Sequence, residues 1–294
     1  MVSVIIPTLD AESKLEGVLL MLRNQTISLE IVIIDSSSTD NTKVIAKNHN
    51  VKFINVDKKE FNHGATRNLA ARKSKGDVLV FMTQDSLPAD KNSVETLTKA
   101  LNDPMNAASY GRHLCHREAK PTERFSRAHN YPETFYRGFL ESERPVTIRD
   151  CFFSNAFAAV RRKEFEELGG FPENVIMFED MLMAAKLMTK GYRVAYVPEA
   201  KVVHSHNLTP KQQFVRYFQA GVSFGMNPWF LEYANSGREG LRFIKEQTKY
   251  LASNREYKWI PYAVWENACK FVGYRLGLNY KKLPLSFVQR MTRL

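Results

Sequence analysis

Residues 78–85 read VLVFMTQD: a five-residue apolar run, Val78 to Met82, enters a polar turn that ends on Asp85. The same design occurs twice upstream, where Val4-Ile5-Ile6 runs into Pro7-Thr8-Leu9-Asp10 and Ile31-Val32-Ile33-Ile34 runs into Asp35. Short, continuously apolar runs separated by helical stretches are buried strands of a parallel sheet. In such sheets ligands bind beyond the carboxyl ends of the strands, at the topological switch point. Two carboxylates delivered there by separate strands need a partner, because burying unpaired charge is costly. A metal ion carrying a phosphate-bearing substrate is the most economical one. The alternative is that Asp35 and Asp85 cap the turns that follow them, as Asp commonly does.

Between these strands, residues 10–26 have helical spacing, with Leu15, Val18, Leu19 and Leu22 on one face. A second helix follows the capping-rich turn at 36–41, a third spans 63–73, and residues 51–56 alternate as an edge strand does. This β-α-β-α-β-α-β order is a doubly wound pattern, so the fold class is α/β with a mainly parallel sheet flanked by helices. Residues 104–150 are polar and broken by Pro121, Pro132 and Pro145, which predicts a substrate-facing or mobile region rather than core. Residues 155–160 resume apolar character, and a short helix at 161–168 stops at Gly169-Gly170. A helix over 181–190 follows, then a strand at 193–197. A short strand at 201–206 should carry His204 and His206 on one face. From residue 209 helices dominate, which divides the chain into 1–208 and a helical extension, 209–294.

The net charge of +11 over 294 residues is unevenly spread. Residues 211–294 hold 14 Lys/Arg against 5 Asp/Glu, a net of +9, mixed with many aromatics that include Phe224, Phe243, Trp265 and Phe271. Basic and aromatic residues together on helices suit an anionic membrane surface. The competing expectation is that these aromatics pack on the first domain while the charges are solvated. Nucleic acid would feel the same charge but is not expected as a partner. No signal peptide and no apolar run of the ~20 residues needed to cross a bilayer is visible. Three widely spaced cysteines form no CxxC pair, so a reducing cytosol fits best.

Glu179-Asp180 opens a helical run, where an acid is stabilised as the anion by the helix dipole and can accept a proton if it faces a cleft. His204 comes 24 positions after Asp180, returned by a strand towards the same sheet edge. Histidine with one carboxylate and phosphate oxygens suits Mn²⁺ or Mg²⁺, and Mn²⁺ tolerates nitrogen better.

In this order and spacing, VSVIIPTLD, VIIDSSSTDNT, ATRNLAARKSKGDVLVFMTQDSLP, SNAFAAVRRKEFEELGGFPE and FEDMLMAAKLMTKGYRVAYVPEAKVVHSH resemble the family 2 glycosyltransferases of the GT-A fold. That family inverts the sugar and uses nucleotide-diphosphate donors. The likeness covers about residues 2–206, and FNHGATRNLAARKSKGDVLVFMTQD is similar to bacterial rhamnosyltransferases of cell-surface polysaccharide synthesis. The resemblance implies that Pro7, Thr8 and Leu9 border the base and ribose, that Asp35 accepts from the base, and that Ser37 or Asp40 assists. It places Arg67 at the diphosphate, Asp180 as general base, and Asn155 and Glu179 near the reacting sugars. The metal motif falls on Thr83-Gln84-Asp85, so its first acid is threonine and Asp85 is its only carboxylate. His204 is the implied second metal ligand, with His206 behind it. Arg112, His113 and Arg127 are candidates for the acceptor side.

The implied reaction is transfer of L-rhamnose from dTDP-rhamnose to a hydroxyl of a polysaccharide or lipid-linked glycan. It would take place in the cytoplasm, at the inner face of the plasma membrane. The alternatives are another UDP- or dTDP-hexose donor, or a non-catalytic sugar-nucleotide-binding scaffold of an assembly complex. A nucleotidyltransferase would need a Gly-rich basic loop after the first strand, where this chain has PTLDAESK.

Overall fold

The computed structural model describes residues 1–134, 136–138, 146–234 and 239–292, with backbone alone at 136–138. The described strands are β1 (Val2–Thr8), β2 (Leu29–Asp35), β3 (Lys52–Asn55), β4 (Val78–Met82), β5 (Leu87–Pro88), β6 (Asn106–Leu114), β7 (Tyr136–Gly138), β8 (Phe157–Arg161) and β9 (Arg193–Val203). They form one sheet in the order β3-β2-β1-β4-β8-β6-β9-β5, with β7 also on β9. β1 to β4 run parallel, β8 is antiparallel to both β4 and β6, and β6 and β9 run parallel to each other.

The reversal of β8 positions the site. Its amino end meets the carboxyl end of β4, with Met82 opposite Phe157. β6 and β9 then point the same way as β4. One sheet edge therefore collects the residues after β2 and β4, those before β8, and the ends of β6 and β9.

The helices are α1 (Glu12–Arg23), α2 (Thr42–Asn48), α3 (His63–Lys73), α4 (Ser93–Lys99), α5 (Pro121–Asn130), α6 (Arg162–Glu167), α7 (Glu179–Thr189), α8 (Pro210–Met226), α9 (Pro228–Tyr233), α10 (Glu239–Ser253), α11 (Trp259–Leu278) and α12 (Leu285–Thr292). Alternate strand residues feed two cores. Val4, Ile6, Val80 and Met82 pack with Leu15 and Leu19 of α1 and Leu97 of α4. Ile5, Val32 and Phe81 pack on the other face with Ala70 of α3, Leu182 and Leu187 of α7, and Phe224 and Phe230 of the extension.

The first three helices and the edge strand β3 match the sequence expectations. Residues 106–130 of the segment expected to be irregular do not. β6 lies inside the sheet between β8 and β9, and α5 follows it, so residues 106–130 are not an irregular region. The strand NAASYGRHL has no β-branched residue, and its small side chains suit a crowded interior. A Cβ on Gly111 would lie 2.4 Å from the Phe157 ring and from the Ala200 carbonyl oxygen. Pro145 lies outside the described residues. The expected pair of strands at 193–197 and 201–206 is one strand, β9, in which Pro198 sits where the register against β6 shifts between Gly111 and Arg112. That strand ends at Val203, so His204 and His206 are delivered by the segment after it, not by strand alternation.

Within the extension, α11 packs on α8 through close backbone contact. A Cβ on Gly277 of α11 would lie 2.1 Å from the Phe218 carbonyl oxygen, and one on Gly273 would lie 2.4 Å from that of Phe214. Phe243 and Tyr250 of α10 meet Phe125 of α5 at 5.1 and 5.5 Å. A good part of the aromatic tail is thus core, as the competing expectation held. Gly277→Ala should destabilise the fold by roughly 1–3 kcal/mol, the usual cost of forcing an extra methyl into a packed contact. Calorimetry reads this as a lowered melting temperature, and an unchanged one would mean that α8 and α11 can separate freely.

Candidate active site

Asp85, His204 and His206 converge. Nε2 of His204 lies 3.5 Å from Asp85 Oδ1, and Nε2 of His206 lies 3.5 Å from Oδ2. The two imidazoles approach to 3.1 Å through Nε2, and one ligand atom from each of the three residues lies within 4.8 Å of the others. Burial drives His204 down to about 3, although Asp85 pulls upward, and burial lowers His206 as well. Both rings are therefore neutral near pH 7 and offer lone pairs. Burial pulls the Asp85 carboxyl upward, but His204, the Thr83 hydroxyl, His206 and Lys14 together hold it below its ordinary range.

The tautomer of His204 follows from its neighbours. Nη1 of Arg127 lies 3.3 Å from His113 Nδ1, and arginine can only donate, so that nitrogen accepts. His204 Nδ1 lies 3.4 Å from the same atom and can approach it only as N–H. The unprotonated nitrogen of His204 is then Nε2, which faces Asp85. A lone pair directed at a carboxylate calls for a donor or a cation beside it: His206 Nε2 at 3.1 Å can donate to it, and a metal ion bound by both rings would replace that contact. Two neutral nitrogens and one carboxylate oxygen thus fit Mn²⁺, and Mg²⁺ less well. Behind this chain, Arg127 Nε donates to Glu123 Oε1 at 2.7 Å, and the His113 ring stacks on Tyr131 at 4.0 Å.

Asp180 stands at the start of α7, its carboxylate accepting from the Asn155 amide at 3.0 Å and the Met181 amide at 2.8 Å. The helix terminus alone predicted an easily ionised acid. Burial and the neighbouring Glu179 charge outweigh it and raise Asp180 to about 7. That is a better value for a general base, since proton transfer is most efficient when the base is matched to working pH. Asp180 is joined to the histidines through Tyr131, which feels its charge and stacks on His113.

Glu179 is buried. It accepts from Asn155 Nδ2 at 3.0 Å and pairs with Arg67 Nη1 at 3.3 Å. Burial pulls it upward, but Arg67, His63 and Asn155 hold it below the usual carboxylate range. Arg67, expected at the diphosphate, is committed to Glu179 and to the His63 carbonyl at 3.0 Å.

On the nucleotide side, Asp35 accepts from the Thr8 hydroxyl at 2.7 Å, the Ser38 amide at 2.8 Å and the Ser38 hydroxyl at 2.6 Å. This is the capping role, and it uses three of about four lone-pair sites of a carboxylate. Gln84 clamps the Leu9 backbone, accepting from its amide at 2.8 Å and donating to its carbonyl at 3.1 Å. Pro7, next to Thr8, pairs with Ile34 in β2. Ser37 donates to the Val56 carbonyl at 2.8 Å, and Asp40 caps α1 by accepting from the Glu12 amide at 2.9 Å. Arg112 points away to Glu133 at 2.8 Å.

Two cations escaped the sequence reading. Lys14 Nζ lies 3.6 Å from Asp85. Arg216 of α8 lies 5.8 Å over the ring of Phe178, the left-handed residue that precedes α7, and its charge bears on His204 and His206. With Lys211 it lines an open cleft of about 540 Å³ bounded by Met177, Leu208 and Val215. No local motif marks either residue.

A carboxyl that burial and a neighbouring charge raise to about 7 and an Asp–His–His cluster able to hold a metal, both on this sheet fold, agree with what comparison finds: residues 3–169 match the model of glycosyl transferase family 2. The chain belongs to that family. This glycosyltransferase is 42% identical over 292 residues to the O-antigen chain rhamnosyltransferase RfbN of Salmonella typhimurium, covering 97% of this chain and 92% of that protein. It is 44% identical over 260 residues to the rhamnosyltransferase WbaN of Salmonella anatum, covering 87% and 82%. The mannosyltransferase PcManGT from Pyrobaculum calidifontis, solved with GDP-Man and Mn²⁺, shares the fold at a TM-score of 0.65 and 20% identity over 96% of this chain and 88% of that one. Thr83 stands two residues before Asp85, and its hydroxyl supports Asp85 by a hydrogen bond.

With Asp180 as general base only its ionised form accepts a proton, and kcat/KM of the transferase should then rise about tenfold per pH unit below about 7 and level off above it. Glu179→Gln removes a neighbouring negative charge and should move that inflection to lower pH; an unmoved profile would detach Glu179 from the base. Asp180→Asn should cut turnover roughly 10²–10⁴-fold while nucleotide-sugar binding persists in calorimetry. His113→Phe keeps the stack on Tyr131 but loses the acceptor for His204. It should weaken Mn²⁺ binding roughly 10–100-fold by titration calorimetry.

Proposed function

We propose that this transferase moves L-rhamnose from dTDP-rhamnose, with inversion, onto a hydroxyl of a lipid-linked cell-surface polysaccharide precursor, at the inner face of the plasma membrane. The observation that carries the chemistry is Asp180, a carboxyl raised to about 7 by burial and by the Glu179 charge, in a chain that also gathers Asp85, His204 and His206 into a candidate metal site. The similarity to two rhamnosyltransferases supports the sugar.

In this reading Asp180 takes the proton of the acceptor hydroxyl as that oxygen bonds to the anomeric carbon. The bond from carbon to the diphosphate oxygen breaks on the opposite face, and the electron pair leaves with the diphosphate. Asp85, His204 and His206 would hold Mn²⁺ or Mg²⁺, which when bound supplies Lewis-acid neutralisation of the departing diphosphate. Arg216 and Lys14 add fixed positive charge on that side, a role in which Arg216 replaces the committed Arg67. Asn155 Oδ1, buried with no hydrogen-bond partner, offers an acceptor to a sugar hydroxyl beside the base. The last lone-pair site of Asp35 is available to the base of the nucleotide.

A thermal-shift screen of nucleotide sugars with Mn²⁺ tests the donor, because a ligand that binds only the native state raises its stability by mass action. dTDP-rhamnose should give the largest shift; a larger one from a UDP-hexose would overturn the rhamnosyl assignment.

A further inference from the structure

Helix α11 is built inside out. Its inward face carries Glu266, Asn267 and Lys270 beside the small Ala263, Gly273 and Gly277, all buried, and no large apolar side chain is buried there. Lys270 Nζ pairs with Glu266 Oε1 at 2.9 Å, Gln213 donates to the same oxygen at 2.9 Å, and Asn267 donates to Gln247 at 2.7 Å. Its outward face carries Val264, Trp265, Phe271 and Val272, exposed at 57%, 62%, 66% and 46%. Pro261 and Ala268, also exposed, complete the stripe. A helix that serves only to pack on its own domain shows the opposite pattern, apolar inward and polar outward. Large exposed apolar patches mark contact with something else.

We infer that this outward face of α11 docks the protein on an anionic phospholipid surface. The inference rests on the membrane-surface reading of the acceptor, but a separate measurement decides it. Charge selects the occupant. Exposed Lys258 precedes the stripe and exposed Arg275 ends it, about 25 Å apart at 1.5 Å per residue. The only carboxylate of α11 is Glu266, which is buried and paired, so the outward face is positive with no acid to offset it. Aromatic and aliphatic side chains between basic ends are the chemistry of a helix lying in the plane of the headgroups. A second copy packed antiparallel on the same face would set Arg275 of one molecule beside Lys258 of the other, like charge on like. Among the described residues no helix is long and apolar enough to cross a membrane, so α11 would lie on the surface.

Flotation of the full chain with vesicles of phosphatidylglycerol and phosphatidylethanolamine tests this. The protein should float with them, release as salt rises, and stay behind with phosphatidylcholine vesicles. Trp265→Ser with Phe271→Ser should lower the bound fraction roughly tenfold or more, and Lys258→Glu with Arg275→Glu should do the same through charge. Because these side chains are exposed, melting temperature and the donor-induced shift should stay unchanged in both variants. Variants that float as well as the native chain, or a native chain that fails to float or floats equally with phosphatidylcholine, would overturn the inference. So would a dimer in sedimentation that Trp265→Ser with Phe271→Ser breaks. Failed flotation with an intact donor shift sinks the docking face alone, whereas a native chain without any donor shift sinks the transferase reading.

Discussion

The buried Glu179–Arg67 pair is the contact on which the surroundings of Asp180 depend. Breaking such a pair by removing one partner is costly, because the survivor is left as an uncompensated buried charge. The protein surrounds it accordingly. Asn62 caps α3 and donates to the carbonyls of Glu173 and Val175, while Asn68 exchanges two hydrogen bonds with the backbone of Phe171. These contacts tie α3 to the loop that leads into α7. Gly170 permits them: its φ is +78° and a Cβ there would lie 2.5 Å from Asn68 Oδ1. Arg67 is thereby fixed opposite Glu179, and Glu179, by its charge, adds to burial in raising Asp180 one residue on. The neighbour that holds Asp180 near neutrality is itself kept ionised by Arg67, so two adjacent carboxyls are driven in opposite directions.

The histidine cluster is organised by the same economy. A row of donors and acceptors from Glu123 through Arg127 and His113 orients His204, so that the nitrogen facing Asp85 is the one with a lone pair. His113 comes from β6 and His204 from the segment after β9, neighbours in the sheet although 91 residues apart in sequence. Tyr131 stacks on His113 in this row and also feels the charge of Asp180.

The sheet and its edge were legible in the sequence because three strands are continuously apolar and each ends in polar residues. Asp85, Asp180, His204 and His206 were legible for the same reason: each follows or precedes a strongly patterned element. β6 was not, since its interior is filled with alanine, serine and glycine, which carry no strand signal and are chosen by the crowding of Phe157. Arg67 was placed correctly on its helix, but its partner was invisible, because charge pairing depends on which helices meet. Arg216 was hidden for a related reason: it sits in a tail where basic residues are frequent, and only the packing of α8 beside Phe178 singles it out. The acidity of Asp180 was misjudged because a helix-terminus argument is local, while burial and Glu179 act through the fold.

The glycine crossing of α8 and α11 has a further consequence. One helix of the pair lends Arg216 to the cleft and the other turns its apolar stripe outward, with an interaxial separation of only about 8–10 Å, the usual range for packed helices. Two helices locked backbone to backbone form a stiff spacer. A molecule resting on that stripe would hold its cleft at one fixed height, and would choose among glycans by how far their terminal sugar stands clear of the headgroups.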